Sequence, residues 1–184
     1  MSPAVRAVVL GDSFSAGKGN PDGTPTALQL AARRLGWTAV LQVVKGSGFT
    51  TGASVGERVA ALSTAPTVLV LQAGASDTAA GPEDLTAAAG TVLDAVRRRF
   101  PTTRVVVIGP FAMEQPADGQ LVRVDRTLAA VAKAHHVAYV DPIASAWITA
   151  ANAGNLTSST GFYPNAQGHA FLAQQLERAL ATVS

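Results

Sequence analysis

The sequence predicts an open three-layer α/β domain with a five-stranded parallel sheet at its centre. Three observations point there. Two short runs, Thr67–Gln72 (TVLVLQ) and Arg104–Ile108 (RVVVI), are almost continuously apolar, as strands buried on both faces of a parallel sheet are. Longer segments with helical apolar spacing separate the strand-like runs throughout. The chain has 184 residues, 48% of them hydrophobic and only 14% charged, enough for one ordinary core and inconsistent with a disordered chain.

The elements follow in order. Val5–Leu10 and Thr38–Val44 read as the first two strands, and Val137–Val140 as a short fifth. Thr26–Leu35 and Ser54–Leu62 read as helices. A third helix opens at Pro82, Glu83 and Asp84, with proline at its first position and acids in its first turn. Its stripe is Leu85, Ala89, Val92, Val96 and Phe100. The fourth carries Leu121, Val124, Leu128 and Val131; the last starts near Asn165 and buries Leu172, Leu176, Leu180 and Val183. No linker, second core or internal repeat is visible, so residues 1–184 read as a single domain.

Composition removes several functions. The chain has no cysteine, so disulfide scaffolds and thiolate metal sites are excluded. Its three histidines are not clustered and no metal-ligand spacing appears, so no metal site is expected. No phosphate-binding loop or dinucleotide fingerprint is present, and no cofactor is expected. The net charge is only +2, and the one dense basic run, Arg97–Arg99, suits a solvated helix end rather than nucleic acid. No apolar run approaches a membrane span. An apolar strand by Val5 leads directly into the first motif, so no signal peptide is read and a cytoplasmic location is expected.

In such sheets ligands bind beyond the carboxyl ends of the strands. The loop after the first strand reads Gly11-Asp12-Ser13-Phe14-Ser15-Ala16-Gly17. A serine at that turn is either a helix cap or a hydroxyl raised above the sheet, with N–H groups nearby for an oxyanion. Gly46-Ser47-Gly48-Phe49-Thr50 follows the second strand and Gly74-Ala75-Ser76-Asp77 the third. Thr160-Gly161-Phe162-Tyr163-Pro164-Asn165 precedes the last helix, which begins Ala166-Gln167-Gly168-His169.

These four blocks, in this order, resemble the SGNH (GDSL-type) hydrolases, whose fold is flavodoxin-like. The resemblance implies Ser13 as nucleophile and the N–H groups of Ser13 and Gly48 as oxyanion donors. It also exposes departures. Ser76 stands where the family has the asparagine of the oxyanion hole, Thr160 where it has the aspartate, and Tyr163 where it has the histidine base. Removing a base costs about 10²–10⁴-fold, and one oxyanion donor about 10²–10³-fold. A phenol is a far weaker base than imidazole at neutral pH. The expected site is therefore degenerate: Ser13, Ser76, Tyr163 and Thr160 at the catalytic positions, with Phe14, Phe49, Asp77, Phe111, Met113 and Phe162 around a substrate.

Other polar residues have structural readings. Asp12 is expected to stabilise its turn, Asp141 to cap one, and His169 to pack or start a helix. His135 and His136 precede the fifth strand and so belong at the opposite end of the sheet. Three functions remain open at this stage. One is an old hydrolase pocket reused to bind or transform a small apolar or acyl-type molecule, for instance by non-hydrolytic cyclisation. Another is a serine esterase with a displaced base. The last is a non-catalytic binding module. The expected partner is a small molecule, and the sequence leaves the oligomeric state open.

Overall fold

The computed structural model describes residues 5–182. The chain runs β1 (Arg6–Gly11), α1 (Ala27–Arg34), β2 (Thr38–Val43), α2 (Val55–Ala61), β3 (Val68–Gln72), α3 (Pro82–Arg99), β4 (Arg104–Ile108), α4 (Gly119–Ala134), β5 (Ala138–Val140), α5 (Ala153–Leu156) and α6 (Ala166–Ala181). A single 3₁₀ turn, Ala75–Asp77, follows β3. The strands form one all-parallel sheet in the order β2-β1-β3-β4-β5.

That order decides where a ligand can sit. From β1 the chain crosses to β2 on one side, then returns to place β3 on the other. Crossovers leaving in opposite directions open a crevice at the carboxyl ends of β1 and β3. The register sets those ends level: Gly11 pairs with Val43 on one side and Gln72 on the other.

Every residue of β3 is buried, because helices cover both faces of the sheet. Val9, Val70 and Ile108 pack with residues of α1 and α6 on one face, while Leu10, Leu69 and Leu71 pack with α2, α3 and α4 on the other. The helix starts carry their caps. Thr26 and Ser54 each form reciprocal capping boxes with Gln29 and Glu57. Pro82 opens α3 without a side-chain cap.

Some boundaries move. Thr67 lies outside β3 and Val44 outside β2, whereas β1 extends to Gly11. β2 is an edge strand in which exposure alternates from Thr38 to Leu41, leaving Val40 56% exposed. The four-residue α5 carries no periodic signal because it is too short to show one. Val183 lies outside the described residues. Among the described residues, no helix is long and apolar enough to cross a membrane.

Candidate active site

β1 ends at Gly11, where a Cβ would run into the Ser15 side chain, so the chain can turn sharply only with glycine there. One helical turn follows: Ala16 donates to the Asp12 carbonyl (2.9 Å), Gly17 to Phe14 (3.1 Å) and Lys18 to Ser13 (3.1 Å). Asp12 Oδ1 accepts the Phe14 N–H at 2.8 Å and holds this turn together. Ser13 is left half-buried above the end of the sheet.

The backbone N–H that reaches the Ser13 hydroxyl belongs to Gly46, at 3.3 Å from Oγ. Gly48, the donor expected from the resemblance, spends its N–H on the Thr51 carbonyl at 3.0 Å. Gly48 has another reason to be glycine: a Cβ there would collide with the Asp77 carboxylate. Gly46 adopts φ 75°, a left-handed turn directly after β2 that swings its amide toward Ser13.

Arg58 fixes this arrangement from below. It is buried, and its guanidinium donates to the Gly11 carbonyl (3.0 Å), the Gln42 carbonyl (2.9 Å) and Ser47 Oγ (2.7 Å). It thus ties together the ends of β1 and β2 and the residue after Gly46. An arginine on a helix carries no local sign of this long-range role. Beside it, burial raises the Asp12 carboxyl to about 6, against the weaker lowering pull of the Phe14 N–H. Gln72, fully buried, accepts the Ser15 hydroxyl in the same network.

Two residues expected around a substrate are placed elsewhere. Asp77 is fully buried and accepts the N–H groups of Phe49 (2.9 Å) and Thr50 (2.9 Å) and the Thr50 hydroxyl (2.7 Å). It ties the loop after β2 to the loop after β3. Phe49 is 3% exposed and packs inward with Leu10, Val55 and Leu71. The hydrogen bonds from its own N–H and its neighbour's to Asp77 turn its ring into the core.

The last block keeps its shape. Thr157 and Pro164 form an antiparallel bridge, Ser158 donates to the Tyr163 carbonyl (2.7 Å), and Gly161 turns at φ 79°. Asn165 caps α6 through Gly168 (2.9 Å) and donates to the carbonyls of Asn155 and Thr157. His169 Nδ1 accepts the Ala27 N–H at 3.1 Å, joining α6 to the start of α1, and burial lowers this imidazole to about 4. Thr160 is exposed, with Oγ1 3.0 Å from Ser158 Oγ.

Tyr163 packs against Phe14 (ring centroids 5.2 Å apart, tilted 51°), and the Lys18 ammonium lies 4.6 Å from the centre of its ring. Gly19 permits this approach, since a Cβ there would strike Tyr163 Cβ at 2.7 Å. Ser76 is half-buried; its carbonyl accepts the Thr51 hydroxyl at 3.3 Å, and its own hydroxyl has no hydrogen bond among the described residues.

A pocket of about 410 Å³ opens between the segments that carry Ser13, Ser76 and Tyr163. Phe14, Phe111, Met113, Phe162 and Tyr163 line it, and Phe162 stands 61% exposed at the lip. Lys18, Glu114, Asp118 and Leu121 also line it and are additions to the expected set. Ser13, Ser76, Phe49 and Asp77 do not line it. Lys18 lies five residues beyond Ser13, and only the helical turn between them reveals that it faces the site.

Residues 9–171 match the GDSL-like lipase/acylhydrolase family. The chain belongs to this family. A GDSL lipase of Mycobacterium tuberculosis is 32% identical over 95 residues, covering 52% of this chain and 40% of that protein. The match therefore spans less than half the length of this curated relative. The fold of this GDSL-family chain is shared with solved structures. A protein from Lactobacillus plantarum superposes with TM-score 0.80 at 16% identity, over 98% of both chains. A salicylyl-acyltransferase from a tetracycline biosynthetic pathway superposes with TM-score 0.76 at 21% identity, over 99% of this chain and 56% of that one.

Proposed function

We propose that this GDSL-family protein binds and transforms a small apolar or acyl-type molecule in the pocket beside Ser13, without a serine–histidine–aspartate proton relay. The observation that carries the reading is the Tyr163 ring at the base position, packed on Phe14 and covered by Lys18. An aromatic wall stands where the family places an imidazole. Ser13 Oγ has the Gly46 N–H as its hydrogen-bond partner among the described residues, and no titratable base donates to it or accepts from it.

A weakly activated hydroxyl gives poor nucleophilic catalysis. The pocket volume and its aromatic lining suit a compact apolar ligand with few polar groups. Ring closure or rearrangement gains chiefly from holding reactive ends together, and needs no relay. Within the pocket wall, Tyr163 and Lys18 are among the side chains that could donate to a polarising carbonyl, and the Ser13 hydroxyl and Gly46 N–H lie beside it.

The test is intact mass after incubation with a fluorophosphonate, with Ser13→Ala as control. The expected result is a folded, unlabelled protein. Labelling that depends on Ser13 would overturn the reading. A second reading, acyl transfer or hydrolysis on Ser13 with a non-standard base, is favoured by the Gly46 amide aimed at Oγ. It predicts that labelling, together with ester turnover lost in Ser13→Ala.

A further inference from the structure

At the edge of the sheet opposite Ser13, a cleft of about 520 Å³ lies among the starts of β4 and β5 and the ends of α3 and α4. Its floor is apolar, with Phe100, Val105 and Val137. Arg97, Arg104, His135 and His136 line it, and no carboxylate among the described residues does. Asp94, which reaches two of these groups, is already shared by Arg97 (2.9 Å) and His135 Nδ1 (3.3 Å). The carbonyl ends of α3 and α4 favour cations here, which accounts for Arg97. They do not account for Arg104, which begins a strand, or for the backbone of His136.

His136 is held at φ 56°, in the left-handed region. The chain contains its own control for this position. α1 and α4 end in the same way: Gly36 donates to the Arg33 carbonyl and Trp37 to Ala32, as His136 donates to Lys133 and Val137 to Ala132. At α1 the left-handed residue is Gly36 at φ 67°, the usual choice. At α4 it is an imidazole, which the backbone disfavours. Packing does not explain the difference. His136 is exposed, and its side chain has no hydrogen bond or ion pair among the described residues. What distinguishes it is that it lines the cleft.

We propose that this cleft is a second ligand site, taking an anion carried on an apolar body, with Arg104 and His136 holding the anionic group and Phe100 and Val137 the body. Guanidinium and imidazole donors recognise phosphate or carboxylate oxygens. The cleft is separate from the Ser13 pocket, so the proposal stands whether or not the reading of that pocket does.

The test uses phenyl phosphate as probe, with phenol and inorganic phosphate as the body-only and head-only controls, followed by amide chemical shifts. Phenyl phosphate is expected to perturb residues 97–105 and 135–138, and to bind at least about tenfold more tightly than either control. His136→Gly should weaken it about tenfold while the Tm rises by about 2–4 °C, because glycine relieves the left-handed backbone. Arg104→Ala should weaken it similarly with little change in Tm. A purely structural histidine would lower the Tm on replacement and leave binding unchanged. Absence of binding up to about 10 mM would overturn the proposal. So would perturbations confined to the Phe14–Tyr163 pocket, or an affinity unchanged in both variants.

Discussion

The Gly46 N–H meets Ser13 Oγ at 3.3 Å across the gap between the loops that follow β1 and β2. The serine hydroxyl is thus held by an amide of the neighbouring loop, and the proposed reading puts Tyr163 at the base position. If the missing relay is what limits acyl chemistry, restoring it should create activity. Thr160→Asp with Tyr163→His is expected to raise p-nitrophenyl acetate hydrolysis at least about 10²-fold over the wild type. Each single change should gain much less, because the members act as a unit. The gain should vanish when Ser13→Ala is added. Unchanged hydrolysis in the double variant would mean that Ser13 is not aimed at a substrate carbonyl.

Asp77 is a loop tie, and its removal should be felt as stability. Asp77→Ala leaves the Phe49 and Thr50 N–H groups without their acceptor. With the Thr50 hydroxyl, three lost hydrogen bonds predict a loss of about 2–4 kcal/mol in urea unfolding. Asp77→Asn keeps an acceptor and should lose less. A Phe111→Ala variant, by contrast, should weaken ligand binding in the pocket that Phe111 lines.

Asp12 should make stability depend on pH in a defined direction. Burial raises its carboxyl from 3.8 to about 6. Between those values the folded state holds the proton more firmly than the unfolded state does. The penalty is absent at low pH, grows as pH rises through this window, and is complete above about 6. Asp12→Asn removes the charge and leaves an acceptor for the Phe14 N–H. It should stabilise the protein on the order of 2 kcal/mol at pH 7.5 and hardly at all near pH 4. Denaturation midpoints at the two pH values measure this; equal effects at both would show that the carboxylate is not strained by burial.

His169 acts with the opposite sign. Burial lowers its imidazole from 6.5 to about 4, so the unfolded state takes up the proton first as pH falls. Stability is lost from pH 6.5 downward and levels off below about 4. Asn at this position offers an acceptor for the Ala27 N–H without titrating. His169→Asn is expected to flatten the acid limb of the stability profile, whereas His169→Ala also loses the bond between α1 and α6. An acid limb unchanged in His169→Asn would assign that limb to other groups.

Much of the architecture was written in local pattern. Runs such as TVLVLQ are almost continuously apolar because a parallel sheet is covered on both faces. Capping residues and the apolar stripes of the helices mark their own starts and spacing. The family blocks were equally legible, since each lies directly after a strand or before α6. The letters at positions 76, 160 and 163 could be read without coordinates, and that they remove the proton relay is the proposed reading.

Interior loop geometry was not legible. Glycines 46 and 48 are equivalent as letters, and only the left-handed turn at Gly46 and the Asp77 carboxylate beside Gly48 separate their roles. Asp77 and Phe49 looked like pocket residues because their blocks border the pocket; long-range hydrogen bonds bury one as a tie and turn the other inward. Arg58, and Lys18 over Tyr163, depend on contacts between segments far apart in the chain. The sequence alone therefore determined the sheet, the order of its helices and the residue types in the four family blocks, because periodicity and block order are local properties. Which amide faces Ser13, what packs around Tyr163 and which side chains form the pocket were decided by tertiary structure, because they depend on dihedral angles and contacts that no local pattern carries.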